Sequence, residues 1–246
     1  MEKALGYGLI NSMQTGKLHI MNQARTETIA VLGGTGKEGG GIALRLAHRG
    51  YDVVIGSRSA ERAQEAADAM NATLGGKSMR GADNVSAAAA ADIVVLAVPY
   101  SGQRATVEEV QAQLAGKILI DVTVPLVPPK VSRVQLPEGG SAVEAIQRLL
   151  GDEVRVVSAF QNISAHHLAH LDAEIECDVL VCGDDTPAVE RVVALTREIG
   201  LRAWNAGPLC NSVVAEGLTS ILIGINRRYK ADGSGIRITG IAEENA

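Results

Sequence analysis

TIAVLGGTGKEGGGIALRLAHRGYDVVIGSR, residues 28–58, decides how the chain folds. Ile29, Ala30, Val31 and Leu32 form a short uncharged apolar run, which suits a strand buried on both faces of a parallel sheet. Gly34, Gly36 and Gly39 follow in G-x-G-x-x-G spacing, and a helical pattern begins inside the motif. Ile42, Ala43, Leu46 and Ala47 give that helix an apolar face, Gly50 ends it, and Val53 to Ile55 reads as a second strand. A glycine motif at the first strand-to-helix turn of a β-α-β unit is the context that makes it a dinucleotide site.

Each glycine has its own expected duty. Gly34 makes the tight turn, Gly36 admits a pyrophosphate to the backbone, and Gly39 lets helix and sheet approach. Free N–H groups at the helix start then attract phosphate. Gly40 and Gly41 each cost about 1 kcal/mol relative to Ala inside a helix, so close packing against sheet or ligand is expected of them.

The end of the second strand selects the dinucleotide. NAD enzymes usually place Asp or Glu about 20 residues beyond the glycines, to hold the ribose 2′-hydroxyl. This chain has Gly56-Ser57-Arg58-Ser59, with Arg62 one helical turn later. Hydroxyls and guanidinium groups suit a 2′-phosphate, and Thr35 in the glycine loop can add another hydroxyl. The reading is NADP over NAD, with Ser59 also available as a helix cap.

Outward from this unit, helix and strand keep alternating. Helices are expected over 60–71, 86–91, 103–114 and 141–150, with strands over 78–81, 93–98, 117–122 and 154–159. Pro125, Pro128 and Pro129 make a stiff irregular connection. Six strands with crossover helices give an α/β, Rossmann-type doubly wound parallel sheet. Ligands in such sheets sit beyond the carboxyl ends of the strands. That rule nominates Val98-Pro99-Tyr100, Thr123-Val124-Pro125 and Phe160-Gln161-Asn162-Ile163 for the nicotinamide end.

Three parts are expected: an extension over 1–27, an NADP-binding domain over 28–172 and a smaller C-terminal α/β domain over 173–246. The last contains strands at 178–182 and 201–204 and a helix at 187–199 that begins with Pro187. The apolar helix at 212–225 is expected to be buried between domains or in a dimer interface. The extension could dock on the domain or on a partner subunit.

Composition narrows the function classes. The 246 residues carry a net charge of −5, 46% hydrophobic residues and only 2% aromatics. A core of Ala, Val, Ile and Leu fits a parallel sheet. Scarce stacking residues and an acidic balance argue against nucleic-acid binding. No apolar run is expected to approach the ~18 residues of a membrane span. The first 27 residues, with Glu2 and Lys3 and no long apolar core, do not read as a signal peptide. Cys177, Cys182 and Cys210 lack C-x-x-C spacing, which suggests a reducing cytoplasm. His166, His167 and His170 hold an i, i+4 pair without a completing Cys or carboxylate, so no metal site is assigned. Asp184 and Asp185 read as a turn or a helix cap. Nucleophilic catalysis lacks a G-x-S-x-G elbow or a visibly activated Cys.

Gly33-Gly34-Thr35-Gly36, Gly56-Ser57-Arg58, Val181-Cys182-Gly183-Asp184-Asp185 and Ala206-Gly207-Pro208-Leu209 with Asn211-Ser212 together resemble the NADPH-dependent F420 reductases, also called F420H2:NADP+ oxidoreductases. The similarity runs from about Thr28 to Ile238, and the VCGDD and AGPL-NS segments are its more specific parts. The resemblance implies a Rossmann domain with a small C-terminal domain, a homodimer, and reversible hydride exchange between NADP(H) and the deazaflavin coenzyme F420. It implies contacts from Thr35, Gly36, Lys37 and Glu38 to pyrophosphate and ribose, and from Ser57, Arg58 and Arg62 to the 2′-phosphate. Val98, Val124 and Ala165 would lie on the nicotinamide side. Ile163 would space the two rings, with Gln161, Asn162, Leu209, Cys210, Asn211 and Ser212 bordering the deazaflavin. Family members often carry His and Ser where this chain has Gln161 and Cys210. No obligatory general acid or base is assigned, since the cofactors carry the chemistry. The alternatives are an NADP-dependent imine or carbonyl reductase, with Tyr100 or a histidine as proton donor, and a non-catalytic NADP-sensing protein.

Overall fold

The computed structural model describes residues 27–76, 78–172 and 174–241. The expectation placed on the N-terminal extension therefore lies, apart from Glu27, outside the described residues.

The first β-α-β unit forms as its pattern dictates. Strand β1 spans Thr28–Leu32, helix α1 Lys37–His48 and strand β2 Asp52–Ser57. Ile29 and Val31 enter one core and Ala30 and Leu32 the other, so β1 is covered on both faces. Helix α2 (Ala60–Leu74) starts where the Ser59 hydroxyl accepts the Arg62 N–H and stops at Gly75, which is left-handed at φ 67°. Strand β3 (Met79–Asp83) runs two residues beyond the expected span, until the Asp83 carboxylate caps α3 (Asn84–Ala89).

The second half runs β4 (Ile93–Leu96), α4 (Tyr100–Leu114), β5 (Ile118–Asp121), α5 (Ala142–Leu150) and β6 (Arg155–Ser158). Helix α4 begins three residues before the expected position because Pro99 ends the preceding segment and leads directly into it. A short helix α6 (Ala165–Leu168) follows β6.

Strand β7 (Val179–Gly183), helix α7 (Thr186–Glu198) and strand β8 (Ala203–Asn205) complete the sheet. The strand order is β3-β2-β1-β4-β5-β6-β7-β8. Strands β1 to β6 are parallel, and β7 pairs antiparallel with β6 through Val157 opposite Gly183 and Ser158 opposite Cys182. The C-terminal strands thus extend one continuous sheet of eight, and the smaller unit shares the sheet rather than building its own. Strand order runs outward in opposite directions from β1 and β4, which opens a crevice at their carboxyl ends.

A 3-10 turn over Leu209–Asn211 leads into helix α8 (Ser212–Tyr229). Ser212, Ala215, Glu216 and Ser220 are buried, but Val214 (63%), Ile221 (51%), Ile225 (37%) and Tyr229 (72%) are exposed. Within one chain, then, one face of this helix is buried and the other is open. The expected absence of any apolar run near membrane-spanning length is corrected: within Leu209–Tyr229, an 18-residue window reaches a mean hydropathy of 1.3. Its Glu216 nevertheless accepts the Ala142 and Val143 N–H groups at 2.9 and 3.2 Å and the Ser141 hydroxyl at 2.7 Å. That carboxylate caps α5 and docks the helix on the sheet.

Candidate functional site

The crevice is shaped first by the glycine turn. Gly33 is left-handed (φ 81°), and a side chain there would place its first carbon 2.3 Å from the Ala97 carbonyl oxygen. The tight turn expected at Gly34 is thus made by Gly33, while Gly34 is pressed between the Val31 carbonyl and Ile55. A carbon added to Gly39 would lie 2.6 Å from the Gly33 carbonyl oxygen, so the close helix approach falls where expected. Gly36 has only the Gly33 carbonyl near it, which leaves its other side open to a ligand. Gly41 serves the expected close packing, its missing side chain leaving room for Leu168, whose Cβ would otherwise be 2.6 Å away.

Two lobes meet over this turn. The first, about 1100 Å³, is lined by Thr35, Ser57, Arg58, Ser59 and Arg62, with Asn84, Thr106 and Glu109 across from them. Among the described residues, neither the Arg58 nor the Arg62 guanidinium has an ion-pair partner. Two exposed cations at a strand tip suit an anion. Ser57 and Ser59 also hold the backbone there, Ser57 Oγ accepting the Ser59 N–H at 3.4 Å.

The second lobe, about 840 Å³, gathers Lys37, Glu38, Val98, Val124, Gln161, Asn162, Ile163 and Ala165. Gly36, Ala97, Val98, Pro99 and Ser101 belong to both lobes, so the two form one crevice. Phe160 is left-handed (φ 73°) although it is not glycine. Such a conformation costs about 1–3 kcal/mol, and here it turns Gln161 to Ile163 away from the β6 direction at the cavity wall.

A polar frame holds that wall. The Gln161 side-chain amide donates to the Asp121 carbonyl at 2.7 Å, and the Gln161 carbonyl accepts the Thr219 hydroxyl at 2.6 Å. The Asp121 carboxylate accepts Gln103 Nε2 at 2.6 Å and the Thr123 N–H at 2.9 Å, and its burial raises its pKa. Gln161 Oε1 and Thr123 Oγ1 are buried without a hydrogen-bond partner, leaving polar atoms available beside an otherwise apolar space. Asn162 faces away, its amide donating to the Asp178 carbonyl at 2.7 Å. Glu38, in the first turn of α1, has its carboxyl pushed up to about 8 by burial.

Several contributors were not singled out by the sequence reading. Thr219, Leu222, Ile223 and Asn226 present one face of α8 to the second lobe, and Leu126, Val127, Pro128 and Val131 come from the proline-rich connection. The i, i+3, i+4, i+7 spacing of the helix residues is the signal that would have found them. Arg45 is the other. Only 4% exposed, it donates to the carbonyls of Leu168, His170, His167 and Ile199 at 2.9, 2.7, 3.2 and 3.4 Å. It ties the glycine-motif helix to the turn that carries Ile163 and Ala165.

The structure does not bring Leu209, Cys210, Asn211 or Ser212 to either lobe. Leu209 is buried in the core on the α5 side of the sheet. Ser212 is fully buried and shares a 2.6 Å hydrogen bond with Ser141. Cys210 is exposed, and the Asn211 amide donates to the Ala206 carbonyl. The turn they form is held instead by the expected acidic pair, with Asp184 accepting the Leu209 N–H and Asp185 capping α7. The His166 ring meets His167 edge-on and His170 at a tilt. Among the described residues no group of three or more His, Cys, Asp or Glu is placed to hold a metal ion.

Several of the most similar known proteins share one description. The family model described as NADP oxidoreductase, coenzyme F420-dependent, matches residues 28–125. The F420-dependent NADP reductase of Methanocaldococcus jannaschii is 41% identical over 221 residues, spanning 87% of this chain and 98% of that one. The enzyme of the same description from Methanothermobacter thermautotrophicus is 41% identical, over 88% of this chain and 96% of its own. A crystal structure from Arthrobacter sp., provisionally described as an F420-dependent NADP reductase, superposes with a TM-score of 0.71 at 27% identity, covering 87% of this chain and all of that one.

Proposed function

Since the chain belongs to the F420-dependent NADP reductases, we propose that its two lobes divide the work, one gripping NADP(H) and the other seating the deazaflavin ring. The protein is an oxidoreductase that transfers a hydride between NADP(H) and coenzyme F420. The observation that carries the division is the wall the lobes share at Gly36, Ala97 and Val98. A dinucleotide laid over the glycine turn has its 2′-phosphate end on one side and its nicotinamide end on the other.

In the polar lobe, Ser57, Arg58 and Arg62 take the 2′-phosphate. The Gly34 to Gly39 turn and the α1 N-terminus, with Thr35, Lys37 and Glu38, receive pyrophosphate and ribose. In the apolar lobe, Val98, Val124 and Ala165 flank the nicotinamide, and Ile163 sets the spacing between rings. Gln161, held at its amide nitrogen by the Asp121 carbonyl, turns its free oxygen to a ring N–H. Asn162 braces the turn from behind through Asp178. The face of α8 formed by Thr219, Leu222, Ile223 and Asn226 closes the deazaflavin side.

Both coenzymes are two-electron hydride carriers, so bound together they supply the reaction and a solvent proton balances it. What the chain supplies is orientation, worth about 7–11 kcal/mol of the barrier in well-aligned pairs. Apolar walls also keep water from the rings.

Residues 28–172 serve NADP binding, and 173–246 complete the F420 side. The open stripe of Val214, Ile221, Ile225 and Tyr229 on α8 supports a homodimer formed through this helix. Two buried thiols, Cys182 with its pKa pushed up to about 11 and Cys177 also raised, and exposed Cys210 support a reducing cytoplasm. Mixing the protein with NADPH and F420 tests the central reading: the deazaflavin absorbance is expected to fall as NADPH is consumed one for one. NADPH binding without loss of that absorbance overturns it.

A further inference from the structure

Beyond the rings, the mouth of the apolar lobe carries a concentration of positive charge that the hydride-transfer reading leaves unused. Lys130 and Arg133 flank Ser132 in the connection after β5, and the Arg133 N–H donates to the Lys130 carbonyl at 3.0 Å. Ser132 lies over Gly224 of α8, 3.7 Å from where a side-chain carbon would stand. Arg227 and Arg228 sit three and four residues on, one helical turn along from Gly224. Their immediate neighbours Val131 and Asn226 line the cavity. Four cations from two elements therefore lie within two residues of cavity-lining Val131 or Asn226.

Their own segments carry no carboxylate, Asp232 being the nearest along the chain. Residues 126–134 and 222–231 contain no Asp or Glu, in a chain whose net charge is −5. All four side chains are exposed, and among the described residues none has an ion-pair partner. An uncompensated basic rim around an apolar hole suits a ligand with a flat apolar head and an anionic tail.

We propose that Lys130, Arg133, Arg227 and Arg228 form a subsite for the phosphodiester and glutamyl carboxylates of the deazaflavin coenzyme, outside the cavity that takes its ring. The subsite rests on the assignment of that ring to the apolar lobe. It makes the tail, rather than the ring alone, a determinant of affinity, and it gives binding a salt dependence.

The test compares F420 with the same deazaflavin riboside lacking the phosphodiester and glutamyl groups, each with NADPH. In the unaltered protein F420 has the lower KM, and added salt narrows the gap. With Lys130→Gln, Arg133→Gln, Arg227→Gln and Arg228→Gln combined, KM for F420 rises about tenfold, while KM for the riboside and for NADPH holds. Unchanged riboside turnover shows that the variant is folded. Salt titration of the unaltered protein is a second reading that needs no variant. Equal KM values for the two deazaflavins in the unaltered protein, or an advantage that survives the four substitutions, overturns the subsite. Absence of hydride exchange with either deazaflavin would instead strike the assignment beneath it.

Discussion

The two lobes of the crevice are built in opposite ways. The polar lobe draws the groups proposed to bind phosphate from one continuous piece of chain, Thr35 to Arg62, laid out by a single β-α-β unit. The apolar lobe is assembled from six places: the start of α1, the ends of β4, β5 and β6 with their following turns, one face of α8, and Ser234 beyond that helix. A compact piece can be altered in one function at a time. A composite wall transmits changes made far from the rings, and Arg45 shows how: its guanidinium holds four carbonyls, three of them in the turn after Ile163 and Ala165.

The largest effect expected follows from the compactness of the polar lobe. Arg58→Ala removes one guanidinium from the strand tip and touches nothing in the ring cavity. A charge-assisted hydrogen bond to phosphate contributes about 1.5–3 kcal/mol, so KM for NADPH should rise about tenfold to a hundredfold. KM for NADH, which lacks that phosphate, should barely move, and neither should KM for F420. Equal losses for NADPH and NADH would mean that Arg58 serves the fold or the pyrophosphate instead.

The contrast between lobes also explains what could be read ahead of the structure. The glycine turn, the arginine-marked tip and the alternation of six strands with helices were legible because each depends on residues close in sequence. A left-handed residue and a strand–turn–helix leave a local imprint. Even there the tightest position was misplaced by one: Gly33, not Gly34, is excluded from bearing a side chain, because of Ala97, more than sixty residues away. The antiparallel arrival of β7 and the closing of the ring cavity by α8 depend on contacts between distant segments. An apolar helix announces that it will be covered, but not which face meets a ligand and which stays open.

Where the lobes join, Glu38 gives a smaller, pH-dependent effect. Burial raises its carboxyl to about 8, so at neutral pH it is mostly uncharged and would tolerate the pyrophosphate proposed beside it. As pH rises through 8 it ionises and repels that group. For a single group titrating there, NADPH binding should weaken about tenfold between pH 7 and pH 9. Glu38→Gln should flatten that rise while leaving the neutral-pH value within about twofold. Stability carries the same sign. The folded value lies above the ordinary glutamate value of 4.5, so the carboxyl's contribution is fully present below about 4.5 and is lost as pH climbs through about 8. Thermal unfolding at pH 6 and pH 9 should therefore show the variant less affected by alkali than the parent. A KM profile that stays unchanged in the variant would place the titrating group elsewhere.

The smallest effect is the one that decides how far the apolar lobe extends. Resemblance put Cys210 at the deazaflavin, whereas the structure leaves it exposed on a turn outside both lobes, beside Asn211 and the buried Ser212–Ser141 pair. Cys210→Ala removes one small thiol and no hydrogen bond that holds the fold, its contact to Asn211 Oδ1 being 3.9 Å long. If the lobe ends at α8, KM for F420 and kcat should both stay within about twofold of the parent, as for a surface substitution. A selective rise in KM for F420 would show that this turn reaches the ring after all. A single chain cannot deliver that contact in the geometry seen, so the same result would point to a crevice completed across a pair of α8 helices. Repeating the assay at dilutions that separate the pair would then show whether the sensitivity to residue 210 disappears with the second copy.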